Sequence, residues 1–410
     1  MMVAGCTDDV RLNRSAWQFS IGWLLLVWPL WVSADLDVAS FLEQHWQRPI
    51  AHQEPVPEHF SEQEASLQPE DCGGCHQQQY KDWSTSLHSK AMGPGLMGQL
   101  VEMSAHARTE HQSCLRCHAP LSEQADQLVS ELTGQALPSD QLLHRQGLVC
   151  AACHLRKQQR FGPPRKDGSV PAATDNLPHD GWQAADAFSD SQFCAACHQF
   201  EPNEFALNGK LLENTYEEWK QSPYAAEGIS CQQCHMPERR HLWRGIHDPE
   251  MVRSGVTIQL SEVSLQGREV RGQMQMENTG TGHRFPTYVT PQVVMHGFQV
   301  NSAGDPIAST DSYFVVARRV SLDLSTEIFD TRLAPGESAT LDYHMPRHTD
   351  AAALVFRVWV EPDTFYQQFF NSRLQSNPAS QGAGMLRQAY ENAASSRFTL
   401  YRQELPFPDR

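Results

Sequence analysis

Five copies of one pentapeptide constrain this chain more than any other feature. They are Cys72-Gly-Gly-Cys75-His76, Cys114-Leu-Arg-Cys117-His118, Cys150-Ala-Ala-Cys153-His154, Cys194-Ala-Ala-Cys197-His198 and Cys231-Gln-Gln-Cys234-His235. The spacing sets two thiols one helical turn apart, with an imidazole directly after them. Cys-x-x-Cys-His is the attachment pattern of c-type haem. The thiols add to the two porphyrin vinyl groups, and the histidine reaches the iron from one face. Chance supplies about 0.01 such matches in a chain of this composition.

Other uses of Cys-x-x-Cys fit less well. A structural zinc closes with four ligands, usually from two such pairs, and five pairs cannot be matched off. A thioredoxin-type motif occurs once, inside a strand–helix unit. Of 11 cysteines, ten lie in the motifs and the odd one is Cys6, which leaves none for disulfides. The reading is five c-type haems, with His76, His118, His154, His198 and His235 as proximal iron ligands.

The N-terminus gives an address. Arg11 and Arg14 precede an apolar run from Ile21 to Val32, and Val32-Ser33-Ala34 forms a small-residue cleavage pattern before Asp35. This is the form of a secretory signal peptide over residues 1–34, and the run is short for a membrane span. Export agrees with covalent haem, which bacteria attach outside the cytoplasmic membrane. The expected location is periplasmic or exported, with membrane association peripheral at most. The formal net charge of −16 argues against nucleic acid as a partner. It suits transient docking to basic patches on redox proteins: other cytochromes, or a quinol-linked or terminal oxidoreductase.

The remainder divides at two changes of texture. Residues 35–70 begin with a helical pattern (Phe41, Leu42, Trp46), then turn Pro- and Glu-rich, and read as an N-terminal linker or strap. Residues 71–254 hold all five motifs, among short helices and loops poor in aliphatic side chains, so porphyrins must form most of that core. Residues 255–405 alternate apolar and polar positions over Val256–Leu260, Val270–Met276, Val293–Val300, Tyr313–Val316, Ala339–Tyr343 and Ala353–Val360. Turn signals separate these runs, which predicts an antiparallel β-sandwich. A helical pattern over Gly382–Ala394 precedes a last strand, Phe398–Arg402. The fold class expected is α+β: a mostly helical and loop-built pentahaem domain followed by a β-sandwich domain.

The sixth ligand decides what each iron does. Two axial histidines close the coordination for electron transfer, while an open position permits substrate chemistry. With 19 histidines in the chain, 14 lie outside the motifs. His88 follows the first motif on the helical stretch Trp83-Ser-Thr-Ser-Leu-His88. His247 follows the fifth motif by the same interval of 12 residues, with His241 competing for the role. His283 sits in Gly280-Thr-Gly-His-Arg-Phe-Pro286, where small residues allow close backbone approach. It would reach from the β domain into the haem domain. His106, His111, His144, His59 and His52 are weaker candidates, as are Met92, Met97 and Met103. Trp219-Lys-Gln-Ser-Pro-Tyr224 repeats the spacing of Trp83 to His88 with Tyr in place of His. Either another histidine supplies that ligand, or one iron is open.

At these residues the chain resembles the multihaem c-type cytochromes related to the tetrahaem cytochrome that takes electrons from hydroxylamine oxidoreductase. The resemblance rests on Trp83-x4-His88 after a haem motif, on Asn214-Thr-Tyr-Glu-Glu-Trp219 through Gly228-Ile-Ser-Cys231-Gln-Gln-Cys-His-Met-Pro237, and on Gly-Thr-Gly-His283-Arg-Phe-Pro-Thr287. It spans roughly residues 70–345 and implies closely packed, mainly bis-histidine haems, with His88, His247 and His283 as distal ligands. Tyr224 departs from that pattern. The expected function is electron transfer, with no catalytic side chain assigned. The alternative is an oxidoreductase with one open haem acting on a small nitrogen or sulfur compound.

Overall fold

The computed structural model describes residues 31–137, 142–169, 172 and 176–407. The signal-peptide reading falls on residues 1–34, of which 1–30 lie outside the described residues.

The motif-bearing part is built from short helices, and each motif lies at a helix end. The helices are Pro69–Cys75, Arg108–His118, Cys150–His154, Gln192–His198 and Cys231–His235. Local chemistry starts and stops them. Pro69 opens the first, where its missing N–H costs nothing. Ser230 and Gln233 form a capping box on the last. The helices carrying the fourth and fifth motifs bury no residue at all. Helices of seven and five residues with no buried face are not stable on their own. Only small apolar clusters support this part, such as Ile50, Leu121, Leu143, Val149 and Leu155. Residues around Ile50 strap across it: Ile50 bonds Pro120 and Ser122 through its backbone, and His45 Nε2 meets the Cys153 carbonyl at 2.8 Å.

From Val256 the architecture becomes β. Strands β1 (Val256–Leu260), β2 (Ser264–Gln266), β3 (Glu269–Asn278), β4 (Gln292–Val300), β5 (Ser312–Val316), β6 (Arg318–Val320), β7 (Glu327–Asp330), β8 (Ser338–Pro346), β9 (Ala353–Glu361) and β10 (Phe398–Pro406) follow in order. One antiparallel sheet runs β5-β4-β9-β10 and a second runs β8-β3-β1, with β2 beside β3. The two face each other across one core. Val270, Met274, Met276, Leu341 and Tyr343 come from the second sheet, and Val293, Met295, Phe356 and Val358 from the first. The fold is α+β, with a cytochrome-like first part and sandwich-like sheets after it. β3 and β8 alternate as the sequence predicts. β4 and β9 differ, being the central strands of their sheet and buried on both faces; their outward side chains Phe298, Val300, Ala353 and Val355 form a second buried cluster.

Two helices, Thr364–Ser376 and Ala383–Ser395, are inserted between β9 and β10. They lie against the Pro94–Leu100 helix of the first part, where a Cβ on Gly95 would sit 2.6 Å from Phe370 and one on Gly98 2.9 Å from Leu386. Arg373 pairs with Glu102 at 2.8 Å. Sequence patterning predicts only the second helix. The first is hidden by aromatics with no helical stripe, Phe365, Tyr366, Phe369 and Phe370, which stack as i,i+4 pairs 6.1 and 5.6 Å apart.

A second seam ties the hairpin at 206–211 to β6 and β7. Arg318, 1 % exposed, donates to the carbonyls of Leu207, Lys210 and Leu211 and to Glu327 at 2.9 Å. Removing Arg318 takes away its ion pair and three hydrogen bonds to hairpin carbonyls, while Glu327 keeps Lys210 at 2.8 Å, and loss of such a buried network costs about 3–5 kcal/mol. Arg318→Met is therefore expected to lower stability by about that amount in denaturant unfolding of the haem-loaded protein.

Candidate functional site

The ten motif thiols are free, and each motif presents two of them on one turn with its histidine beyond. Thiols of different motifs lie near one another: Cys72 near Cys150, Cys117 near Cys197, and Cys194 near Cys231. The motifs therefore adjoin in the order first to third, and second to fourth to fifth, which differs from their order in the chain.

Four motif histidines face a second imidazole. His76 lies 6.5 Å from His179, His154 6.1 Å from His241, His198 6.3 Å from His88, and His235 6.4 Å from His283, measured between ring centres. These separations lie at the long end of aromatic contact distances. They match the spacing of two imidazoles on one metal: a bond of about 2.0 Å and about 1.1 Å from ring nitrogen to ring centre, on each side, give about 6.2 Å. The residues thus fit an iron between each pair. Among the described residues no second imidazole stands at this separation from His118.

Most outer nitrogens are held as metal-bound histidines require, although Nδ1 of His88 is buried without a partner. Nδ1 of His118, His154 and His235 meets the carbonyls of Ala91, Phe161 and Arg244 at 2.7, 2.8 and 2.7 Å. Among the opposing rings, Nδ1 of His179, His241 and His283 meets Gly181, Arg239 and Arg284 at 2.9, 3.1 and 2.9 Å. This bonding fixes the ring and turns Nε2 inward. His198 differs, because its Nδ1 meets the Tyr288 hydroxyl at 2.6 Å. Burial holds the rings neutral, His154 and His198 down to about 4 and His88 to about 3, and the neutral imidazole is the ligating form. Trp243 lies between two of the pairs, 4.6 Å from His88 and 5.0 Å from His241.

His88 and His283 thus stand opposite motif histidines. His247 does not: its Nε2 pairs with Asp363 at the start of the first inserted helix, at 2.9 Å, and its competitor His241 faces His154 instead. The matching interval of 12 residues misleads because residues 241–244 turn back over the haem region. His179 was not among the sequence candidates. It lies in a loop with positive φ, 47°, 15 residues before Cys194, and carries no helical signal. The other candidates have different partners: His52 pairs with Asp126, His59 with Asp180 and His144 with Glu131. His111 is on the same helix as His118, two turns earlier, and cannot oppose it on one iron. Tyr224 donates to the Thr279 carbonyl at 2.8 Å. The small residues before His283 make room for protein: a Cβ on Gly282 would come 3.0 Å from Trp219.

Known proteins were compared with this arrangement. A family model described as cytochrome c554 and c-prime matches residues 71–155, which hold the first three motifs. No curated protein matches. A penta-haem cytochrome c552 from Thermochromatium tepidum has a similar fold, with a TM-score of 0.54 at 17 % identity over 82 % of this chain and 97 % of that one. Residues 71–155 thus match a c-type cytochrome family, and the chain shares the fold of a penta-haem cytochrome.

The second motif has its own surroundings. Glu213 is close to Cys117, and its carboxyl is pushed up to about 8 by burial, then by the charges of Cys117 and Glu218. Tyr366 of the first inserted helix is close to Cys114 and Glu213. Folded Glu213 keeps its proton to about pH 8, whereas its ordinary value is 4.5. The folded state therefore binds more protons across that window, and stability must fall as pH rises through it. Glu213→Gln is expected to flatten this slope in unfolding measured from pH 5 to 8.

Proposed function

We propose that this protein is an exported electron carrier holding five haems, cleaved after Ala34, with a pentahaem domain over residues 71–254 and a β domain over 255–405. Four opposed imidazole pairs carry the reading. Each haem, when bound, supplies a one-electron iron couple. The chain's own part is to hold and shield. The ten motif cysteines fix the porphyrins. His76, His118, His154, His198 and His235 would each hold one iron, and His179, His241, His88 and His283 would supply a second imidazole to four of them. Closed coordination excludes small ligands and keeps the geometry alike in both oxidation states. The nearness of thiols between motifs supports close porphyrin contact between the first and third motifs and along second–fourth–fifth. Acidic charge then favours encounter with a basic redox partner, such as another cytochrome or a quinol-linked or terminal oxidoreductase.

A second reading has one observation in its favour, the lack of an imidazole opposite His118. An iron there with an exchangeable sixth position would allow chemistry on a small nitrogen or sulfur compound, fed by the other four. Glu213, protonated at neutral pH, would stand near as an acid.

Intact-mass analysis of the exported protein should give five haem additions and a start at Asp35; fewer additions would end the pentahaem reading. Replacing His179 or His241 by Ala should open one low-spin centre each to carbon monoxide, while His247→Ala should open none. Tyr288→Phe should shift the midpoint potential of one haem and leave the others in place.

A further inference from the structure

One structural unit occurs twice. In sequence the copies read Tyr80-Lys-Asp82-Trp83-Ser-Thr-Ser86-Leu-His88 and Tyr216-Glu-Glu218-Trp219-Lys-Gln-Ser222-Pro-Tyr224. Tyr and Trp rings lie 5.8 Å apart at 31° in the first and 5.6 Å at 33° in the second. Each indole N–H donates to the carbonyl two residues before a motif, Trp83 to Leu148 at 2.8 Å and Trp219 to Ile229 at 2.9 Å. The amides of Leu148 and Ile229 donate back to the carbonyls of His88 and Tyr224, both at 2.9 Å. A glycine with positive φ precedes each, Gly147 at 69° and Gly228 at 73°. The first copy thus grips the third motif and the second copy the fifth.

The acid before each tryptophan makes the same connection in both. Asp82, 4 % exposed, accepts two hydrogen bonds from Arg240 at 2.7 Å and one from the His241 backbone N–H at 3.1 Å. Glu218 accepts from Arg332 at 3.2 Å, from the Arg284 backbone N–H at 3.0 Å and from the Thr287 hydroxyl at 2.9 Å. His241 faces the third-motif His154, and Arg284 follows His283, which faces the fifth-motif His235. Each copy therefore ties an acid and an arginine to the backbone at the imidazole opposite the motif it grips. The chain separations are 159 and 66 residues, so connectivity does not explain the shared arrangement.

We propose that Asp82 and Glu218 are equivalent positioning residues, each fixing the distal imidazole of one iron: His241 for the third motif and His283 for the fifth. The proposal rests on the axial reading above. Neither carboxylate touches the iron. Each anchors the peptide that carries the ligand, and such outer partners hold ring orientation.

The test is low-temperature electron paramagnetic resonance with redox titration on the oxidised haem-loaded protein. Asp82→Asn should shift the g-values and potential of one low-spin centre and Glu218→Gln those of a different one, with haem content unchanged. Asp82→Glu, which keeps the carboxylate, should return the signal toward the original. Arg240→Gln, on a half-exposed side chain, should move the same centre as Asp82→Asn and serves if that variant loads haem poorly. The proposal is overturned if both acid variants move the same centre, if neither moves any, or if all centres move together. Failure of the axial reading would look different, since the unmodified protein would then lack bis-imidazole signals.

Discussion

The separation of about 6 Å between opposed imidazoles is the constraint on which the rest depends. Two rings so spaced gain little from each other. Burial that keeps them neutral costs solvation, and carbonyls on the outer nitrogens fix them in place without bringing the rings together. An iron held by the two rings, as proposed, would offset both. The short motif helices, two of them without a buried residue, then gain a porphyrin face to lie on, and the sparse aliphatic clusters of this part need not form its core.

The β part is a wall of the cofactor container as well as a sandwich with its own core. The loop between β3 and β4 supplies His283 opposite His235 and Tyr288 beside His198. The inserted helices bring Tyr366 to the second motif and Asp363 to His247. Glu218 and Arg332 lock this loop to the motif-bearing part. Electron-transfer centres change potential when ligand orientation and outer hydrogen bonds change, so a rigid second body braced against the first keeps four ring pairs in register.

The sequence displays whatever depends on local spacing. The five motifs, their helical turns and six strand cores are legible because period-2 and one-turn patterns are local. His88 is legible because it rides a helix directly after a motif, and His283 because its glycine-flanked turn stands out. What escapes is set by the path of the chain. His179 lies on a loop, and the choice of His241 over His247 depends on where residues 241–244 fold back and on Asp363, more than a hundred residues away in the chain. The Thr364–Ser376 helix escapes because its aromatic positions suit a strand as well as a helix. The alternation expected of β4 and β9 fails for the central strands of a covered sheet.

The most direct test of the account is the low-temperature electron paramagnetic resonance spectrum of the oxidised protein, integrated against its haem content. It should contain four low-spin bis-imidazole irons and one iron of another kind, the latter lost or altered when the second motif is removed by Cys114→Ser with Cys117→Ser. A spectrum with fewer than four bis-imidazole irons would contradict the axial pairs. One with five would show that a further histidine reaches the iron of His118.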